Sequence, residues 1–376
     1  MRNSLLALVV LFVLFEIICW IFIRFPVEPL RTLDLNNEIP GFKKNVRLIF
    51  DKDQVRYLDW TGGEKPAGTV RILCVGGWAT LGMLQTAEDT WWGQLHSRLK
   101  ERVKPEGLKI ETAARGFERV GITGIAAATA PLIERLKPDV IILNTGYDDV
   151  IIHSAVYVYD KAKAAQMPAP ARPSAVKAFV LKISQSARFR RWWTADTEVK
   201  KMQNELGRKD VYKKFFDEKR EMVRSLPRHE GIPRRAGTND PLPEYLDGLT
   251  AFKDMAAANG ASLVLTGEAS LHDSVMNLTE ESTLLAYIAL REPEPNGNVA
   301  AARPNPKWVM NEMERFADAA AKFAADNKLP WLDLNDKVER STDNFFSDVL
   351  LTDAGAAAAG ELLAPVVEPV VKAKGK

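Results

Sequence analysis

The segment 70–82 has the order of a strand and a tight turn that could present a nucleophile, but the residue at the turn, Trp78, cannot attack. Residues 70–75 are apolar apart from Arg71 and mostly branched, and Gly76 and Gly77 follow them, which predicts a buried parallel strand ending in a tight turn. A helix is predicted next, because apolar residues then recur at helical spacing. Ligands of such strand, turn and helix units lie at the carboxyl end of the strand. Residue 78 is therefore predicted to face a crevice, and it is a tryptophan.

Acidic and imidazole side chains follow two further predicted strands. Asp148 and Asp149 follow one of them, with His153 shortly after, and His272 follows the other. The two aspartates and Asp348 have the ligand chemistry of a metal site, but acidic residues at a strand end more often cap the following turn. Either histidine could act as a base, although a lone histidine without an orienting partner is more often structural. We expect neither a metal nor a cofactor.

Four blocks of the sequence resemble, in family order, those of the SGNH (GDSL-type) hydrolases. The resemblance covers roughly residues 46–371 apart from a long insertion, and it implies an α/β three-layer fold around a five-stranded parallel sheet. The blocks are Gly-Gly-Trp-Ala-Thr-Leu-Gly at 76–82, Ala-Ala-Arg-Gly-Phe at 113–117, the strand and Gly-Tyr-Asp-Asp at 136–149, and Phe-Phe-Ser-Asp-Val-Leu-Leu-Thr-Asp-Ala-Gly at 345–355.

The same resemblance implies that the family's catalytic residues are replaced. Trp78 stands where the family has its nucleophilic serine, Leu350 where it has the histidine, and Ser347 where it has the aspartate. Gly116 matches the glycine whose amide helps form the oxyanion hole. Asp148 replaces an asparagine that donates to the oxyanion, and an ionised carboxylate offers only acceptors. Acyl transfer needs a nucleophile and a base, so the resemblance predicts a pseudoenzyme.

The amino terminus carries a second signal. Residues 5–23 are almost all apolar and are interrupted only by Glu16, and about 20 such residues suffice to cross a bilayer. The run is longer than the apolar core of a signal peptide that is removed, and no small-residue cleavage site follows it. We therefore predict an uncleaved single-pass signal anchor at 1–25. The resemblance, rather than the flanking charges, implies that the globular part is extracytoplasmic, or periplasmic in a Gram-negative cell envelope.

Four regions are predicted along the chain. The only cysteines, Cys19 and Cys74, fall in the anchor and in a buried strand, so no disulfide is expected. The regions are the anchor at 1–25, a juxtamembrane linker with a short hairpin of strands 46–50 and 55–60 at 26–66, an SGNH-like domain at 67–153 and 241–376, and a basic helical insertion at 154–240.

The insertion is the most basic part of the chain. The whole sequence has 51 Lys and Arg against 49 Asp and Glu, a net charge of +2, so the rest is acidic on balance. This asymmetry predicts an anionic partner, such as a lipid surface, an envelope glycan or an acidic membrane or envelope protein, with a solvated helical hairpin as the alternative. Nucleic acid is not expected. The residues predicted to form the contact are Arg188, Arg190, Arg191, Trp192 and Trp193.

Three functions remain open from the sequence. The preferred hypothesis is a membrane-anchored, non-catalytic binding or assembly component of an envelope or membrane complex. The first alternative is an active esterase, deacetylase or O-acyltransferase on envelope polysaccharide or lipid, with His153 or His272 as a substitute base. The second is a purely structural scaffold, in which Trp78 fills the vacated pocket instead of stacking on a ligand.

Overall fold

The computed structural model describes residues 30–35, 39–154, 193, 197, 199–201, 203–204, 211–229, 240–285, 288–289 and 301–375. The predicted anchor at 1–25 lies outside these residues, and so do most of the insertion and Arg188, Arg190, Arg191 and Trp192.

The described elements alternate between strands and helices over most of the chain. The strands are β1 (Arg31–Leu35), β2 (Val46–Phe50), β3 (Arg56–Leu58), β4 (Thr69–Gly76), β5 (Lys109–Gly116), β6 (Val140–Thr145), β7 (Arg228–His229), β8 (Ser262–Gly267), β9 (Ile288–Ala289), β10 (Ala301–Pro304) and β11 (Trp331–Asp333). The helices are α1 (Trp78–Leu81), α2 (Trp91–Val103), α3 (Ile122–Leu136), α4 (Tyr147–Ser154), α5 (Val211–Ser225), α6 (Pro241–Ala258), α7 (Leu278–Thr283), α8 (Pro306–Asp326), α9 (Leu334–Lys337) and α10 (Asp353–Lys374).

The central sheet has six strands in the order β11-β8-β6-β4-β5-β3. The first five are parallel, and β3 adds to the edge of β5 in the antiparallel direction. The prediction of a five-stranded parallel sheet is thus correct for the parallel part, but the whole sheet is mixed and has one strand more. Every residue of β4 is buried, as expected for a strand covered on both faces.

Helices cover both faces of this sheet. Alternate residues of β4 point to opposite sides, so Leu73 joins one apolar core and Ile72 the other. The first core is completed by α3, α6 and α8, and the second by α2 and α10. This is the three-layer α/β arrangement that the sequence predicts.

The predicted leading hairpin does not form as such. Both of its strands are present, but β2 pairs with β1, whereas β3 joins the central sheet. Strand β1 lies in the stretch that was expected to be a linker, and it alternates, with Leu33 and Leu35 buried beside Val46. Asp51 shapes the turn between β2 and β3 by accepting from the backbone N–H of Val55 (2.9 Å). That turn directs β3 away from β2.

Within the described residues, α10 is the one helix long and apolar enough to cross a membrane. Thr352 caps it by accepting from the amide of Gly355 (3.2 Å). One side of α10 packs against α2 in the second core, as in a soluble core helix, which passes the same test.

Candidate functional site

Two glycines, at the carboxyl ends of β4 and β5, allow close backbone packing around the turn after β4. Gly76 and Gly116 are directly paired in register. A Cβ on Gly76 would lie 2.2 Å from the carbonyl oxygen of Asn144, and one on Gly116 would lie 2.2 Å from the backbone nitrogen of Leu81 in α1. Real Cβ atoms do not approach this closely, so both positions require glycine. Packing against α1 is therefore sufficient to explain why Gly116 is a glycine.

Trp78 begins α1 at the carboxyl edge of the sheet and is half-buried. It packs against an apolar cluster that we call the plug, formed by Ile39, Leu84, Phe216, Leu285, Phe346 and Leu350. The residues at the predicted nucleophile and base positions, Trp78 and Leu350, are therefore parts of one apolar contact region. The indole Nε1 is buried and has no hydrogen-bond partner among the described residues. These contacts favour the filling role of Trp78 over ligand stacking.

The insertion supplies a central residue of the plug. Phe216, from α5, is fully buried and meets the ring of Phe346 edge-on, with 5.0 Å between centroids. Arg220 donates to the carbonyl of Phe346 (2.8 Å), and its guanidinium lies 4.2 Å from the same ring. Lys219 places its Nζ 5.3 Å from the Trp78 ring centroid. Helix α5 is thus fixed over the crevice by both apolar and charged contacts.

Asp148 does not face the plug but forms a buried acidic pair with Glu268. A Cβ on Gly77 would lie 2.8 Å from Asp148 Oδ2 and 3.0 Å from Glu268 Oε1, so both carboxyls flank the glycine turn. Burial, and then the charge of Glu268, raises the pKa of Asp148 well above its ordinary value. Burial likewise raises the pKa of Glu268 to about 8. At neutral pH at least one of the two carboxyls is therefore protonated.

The three aspartates considered for a metal site diverge. Asp149 turns toward α3 and accepts from the amide of Ile122 (2.8 Å), and burial raises its pKa to about 7. Asp348 bonds to a histidine instead. In the part of the chain that the structure describes, no group of three or more His, Cys, Asp or Glu side chains is placed to hold a metal ion. Asp149 therefore bonds to the first turn of α3 and not to the turn after its own strand, which the capping alternative from the sequence had predicted.

His272 is the one candidate base whose side chain is described, and it has an orienting carboxylate. Its Nε2 lies 3.0 Å from Asp348 Oδ1, and the Tyr147 ring stacks on the imidazole with 5.9 Å between centroids. Asp348 also accepts from the amide of Leu285 (2.6 Å). Burial alone would raise the pKa of Asp348, but the hydrogen bond and charge of His272 outweigh it, and the pKa lies below its ordinary value.

Among the described residues, this dyad has no hydroxyl nucleophile beside it. His272 is fully buried, and within the described chain no serine or threonine hydroxyl bonds to its ring. Ser347 is also fully buried, and its hydroxyl has no partner among the described residues. His153 lies on α4, and its side chain falls outside the description.

Two features of this edge were not predicted from the sequence. Glu268 directly follows β8, so its position at the carboxyl end of a strand was a usable signal. The pairing of His272 with Asp348 spans 76 residues, and no local pattern indicates it. Of the predicted basic and aromatic surface, Trp193 is described, and 57% of it is exposed.

No protein-family model matches the sequence, and no curated protein does. The solved structures similar to this chain include an acetyl xylan esterase, AlAXEase (11% identity, TM-score 0.41, 79% of this chain and 100% of that one). TesA matches with 12% identity, a TM-score of 0.40 and coverage of 80% and 99%. A GDSL-like lipase from Bacteroides thetaiotaomicron matches with 10% identity, a TM-score of 0.37 and coverage of 81% and 88%. The similar structures also include a putative lipolytic protein of the G-D-S-L family and a putative arylesterase.

Proposed function

We propose that the chain is a membrane-anchored protein whose SGNH-like domain has no ester-hydrolysis chemistry and serves as a non-catalytic binding or assembly component of an envelope or membrane complex. The observation that carries the proposal is the plug: Trp78 packs on the cluster that contains Leu350 and Phe216. Neither Trp78 nor Leu350 can attack a carbonyl or take up a proton. The aromatic ring of Phe216 from α5 packs in the same cluster.

At alkaline pH the acidic pair supports the same conclusion. An oxyanion hole needs hydrogen-bond donors aimed at a developing negative charge. Asp148 and Glu268 bring carboxyl groups beside the glycine turn instead. Their raised pKa values favour the protonated form, which can donate, at neutral pH, and only above about pH 8 does Glu268 become a charged acceptor. Removing a single oxyanion donor costs about 10²–10³ in rate, and a nearby carboxylate would add repulsion.

The proposed role in assembly rests on the insertion and the amino terminus. Helix α5 ties the insertion to the domain through Phe216 and Arg220, so a partner bound to the insertion would be held at a fixed place over the sheet edge. The apolar run at 5–23 would keep that site near a membrane. We therefore place the partner at a membrane or envelope surface.

A second candidate function is favoured by one contact, the 3.0 Å hydrogen bond between His272 and Asp348. A carboxylate-oriented imidazole is what a general base requires. In that case the chain would be an esterase, deacetylase or O-acyltransferase with a relocated base. This candidate is the weaker one, because no serine or threonine hydroxyl among the described residues bonds to the His272 ring.

A fluorophosphonate probe separates the two candidates, because it forms a covalent bond only with an activated hydroxyl nucleophile. We expect no mass increase in the full-length protein in nonionic detergent, and none in its His272→Ala variant. A Trp78→Ser, Leu350→His, Ser347→Asp triple variant is the control in which labelling can appear. Labelling of the unaltered protein that disappears in His272→Ala would refute the proposal and establish the second candidate.

A further inference from the structure

A small basic cleft lies beside His272, apart from the plug. With its open mouth it has a volume of about 350 Å³. Apolar residues such as Val223 and Leu284 form part of its wall. The charged and polar residues that line it are Arg224, Arg228, Arg303, Glu281 and His272.

Two of its arginines are held side by side against their mutual repulsion. Arg228 of β7 and Arg303 of β10 are directly opposite in register on parallel strands, an arrangement that is destabilising for like charges. One carboxylate lies near both, since Glu281 is 3.0 Å from Arg228 and 4.0 Å from Arg303. Arg224 is fixed by donating to the carbonyl of Ser282 (3.1 Å). Three guanidinium groups and one carboxylate give the lining a formal charge of +2.

Two buried nitrogen atoms in this lining have no hydrogen-bond partner among the described residues. They are Nδ1 of His272 and Nε of Arg303. His272 is 0% exposed, and its other nitrogen is occupied by Asp348. Buried polar atoms are normally satisfied, and these two belong to residues that line one basic cleft, so a ligand in the cleft could satisfy them.

We propose that this cleft binds the phosphate group of a phosphate monoester. Guanidinium groups bind phosphate oxygens in a bidentate manner, and a dianion matches the charge of the lining better than a carboxylate does. Because Asp348 holds Nε2, the remaining Nδ1 of His272 makes the directional contact. The protonated ring donates to an oxygen of the dianion, and the neutral ring accepts from the hydroxyl of the monoanion.

The inference goes beyond the proposed function and does not depend on it, because a phosphate site and an inactive crevice are separate properties. Two sources could supply the group: a soluble phosphate ester or the headgroup of phosphatidic acid. The apolar part of the wall can contact only the few atoms of the ligand that lie next to its phosphate group. Both sources share the chemistry that the cleft recognises.

The test uses the full-length protein in nonionic detergent, titrated calorimetrically with inorganic phosphate and with glycerol 3-phosphate. A parallel flotation assay uses phosphatidylcholine vesicles with and without phosphatidic acid. We expect saturable binding in at least one assay, and a loss of affinity of about tenfold or more in Arg303→Gln. Arg102→Gln is the matched control, because Arg102 is similarly exposed and ion-paired (3.0 Å to Glu368) but lies outside the cleft.

The outcomes either identify the source of the phosphate group or refute the proposed site. Binding of the soluble esters identifies a soluble ligand, and binding only to vesicles with phosphatidic acid identifies a lipid headgroup; both support the site. No saturable binding in either assay, or equal weakening in Arg303→Gln and Arg102→Gln, would overturn it. If thermal unfolding shows that Arg303→Gln is misfolded, Arg224→Gln takes its place with the same expected loss.

Discussion

Replacing Glu268 by glutamine should make the protein less sensitive to alkaline pH. The pKa of Glu268 is raised from 4.5 to about 8 by burial, so between these values the folded state holds a proton that the unfolded state has released. The stability due to this proton is fully present below pH 4.5 and is lost as the pH rises through 8. Each unit corresponds to about 1.4 kcal/mol, so the free energy of unfolding should fall by up to about 5 kcal/mol across this window.

Glutamine has nearly the shape of the protonated acid and cannot ionise. Glu268→Gln should therefore match the unaltered protein within about 1 kcal/mol at pH 5 and exceed it by several kcal/mol at pH 8.5. Some decline with pH should remain, because burial also raises the pKa of Asp148. The assay is urea unfolding of the full chain from pH 5 to 8.5, followed by circular dichroism. The exposed Glu101→Gln is the control, and an unchanged pH dependence in Glu268→Gln would show that the reasoning about the acidic pair is wrong.

Three further changes test other parts of the structure. Glu111→Ala would leave the buried Arg71 guanidinium without its 2.7 Å partner and should lower the free energy of unfolding by about 3–5 kcal/mol, measured by urea unfolding at pH 7. Phe216→Ala should cost about 3 kcal/mol and speed proteolysis within 211–225, and unchanged cleavage would argue against the plug. Asp149→Asn keeps an acceptor for α3 but removes a carboxyl whose pKa is about 7, so its unfolding free energy should fall less between pH 4 and 7 than that of the unaltered protein.

The sheet and its functional edge could be predicted because their signals are local. The apolar residues of β4 followed by Gly76 specify a buried strand and a turn, and the position of Asp148 after β6 follows from the same logic. Parallel strands bring such turns to one edge. Glu268 could have been placed there by the same argument, since it follows β8.

What could not be predicted depends on contacts between distant segments. The burial of Phe216 against Phe346 joins the insertion to the last block across 130 residues of chain, and the composition of α5 indicates only a basic amphipathic helix. The partner of β2 was also misassigned, because its proximity to β3 in sequence suggested a hairpin, whereas the apolar side chains of β1 provided the better packing surface. Local patterns specify elements, and long-range burial decides what covers them.

The most direct test of the central claim is the hydrolysis of p-nitrophenyl acetate by the full-length protein. We expect a rate equal to that of buffer with detergent, unchanged in His272→Ala. The Trp78→Ser, Leu350→His, Ser347→Asp triple variant shows whether the crevice can regain turnover when the family's groups are returned. Catalysis by the unaltered protein that is lost in His272→Ala would contradict the account and make the His272 and Asp348 pair the working base of an enzyme.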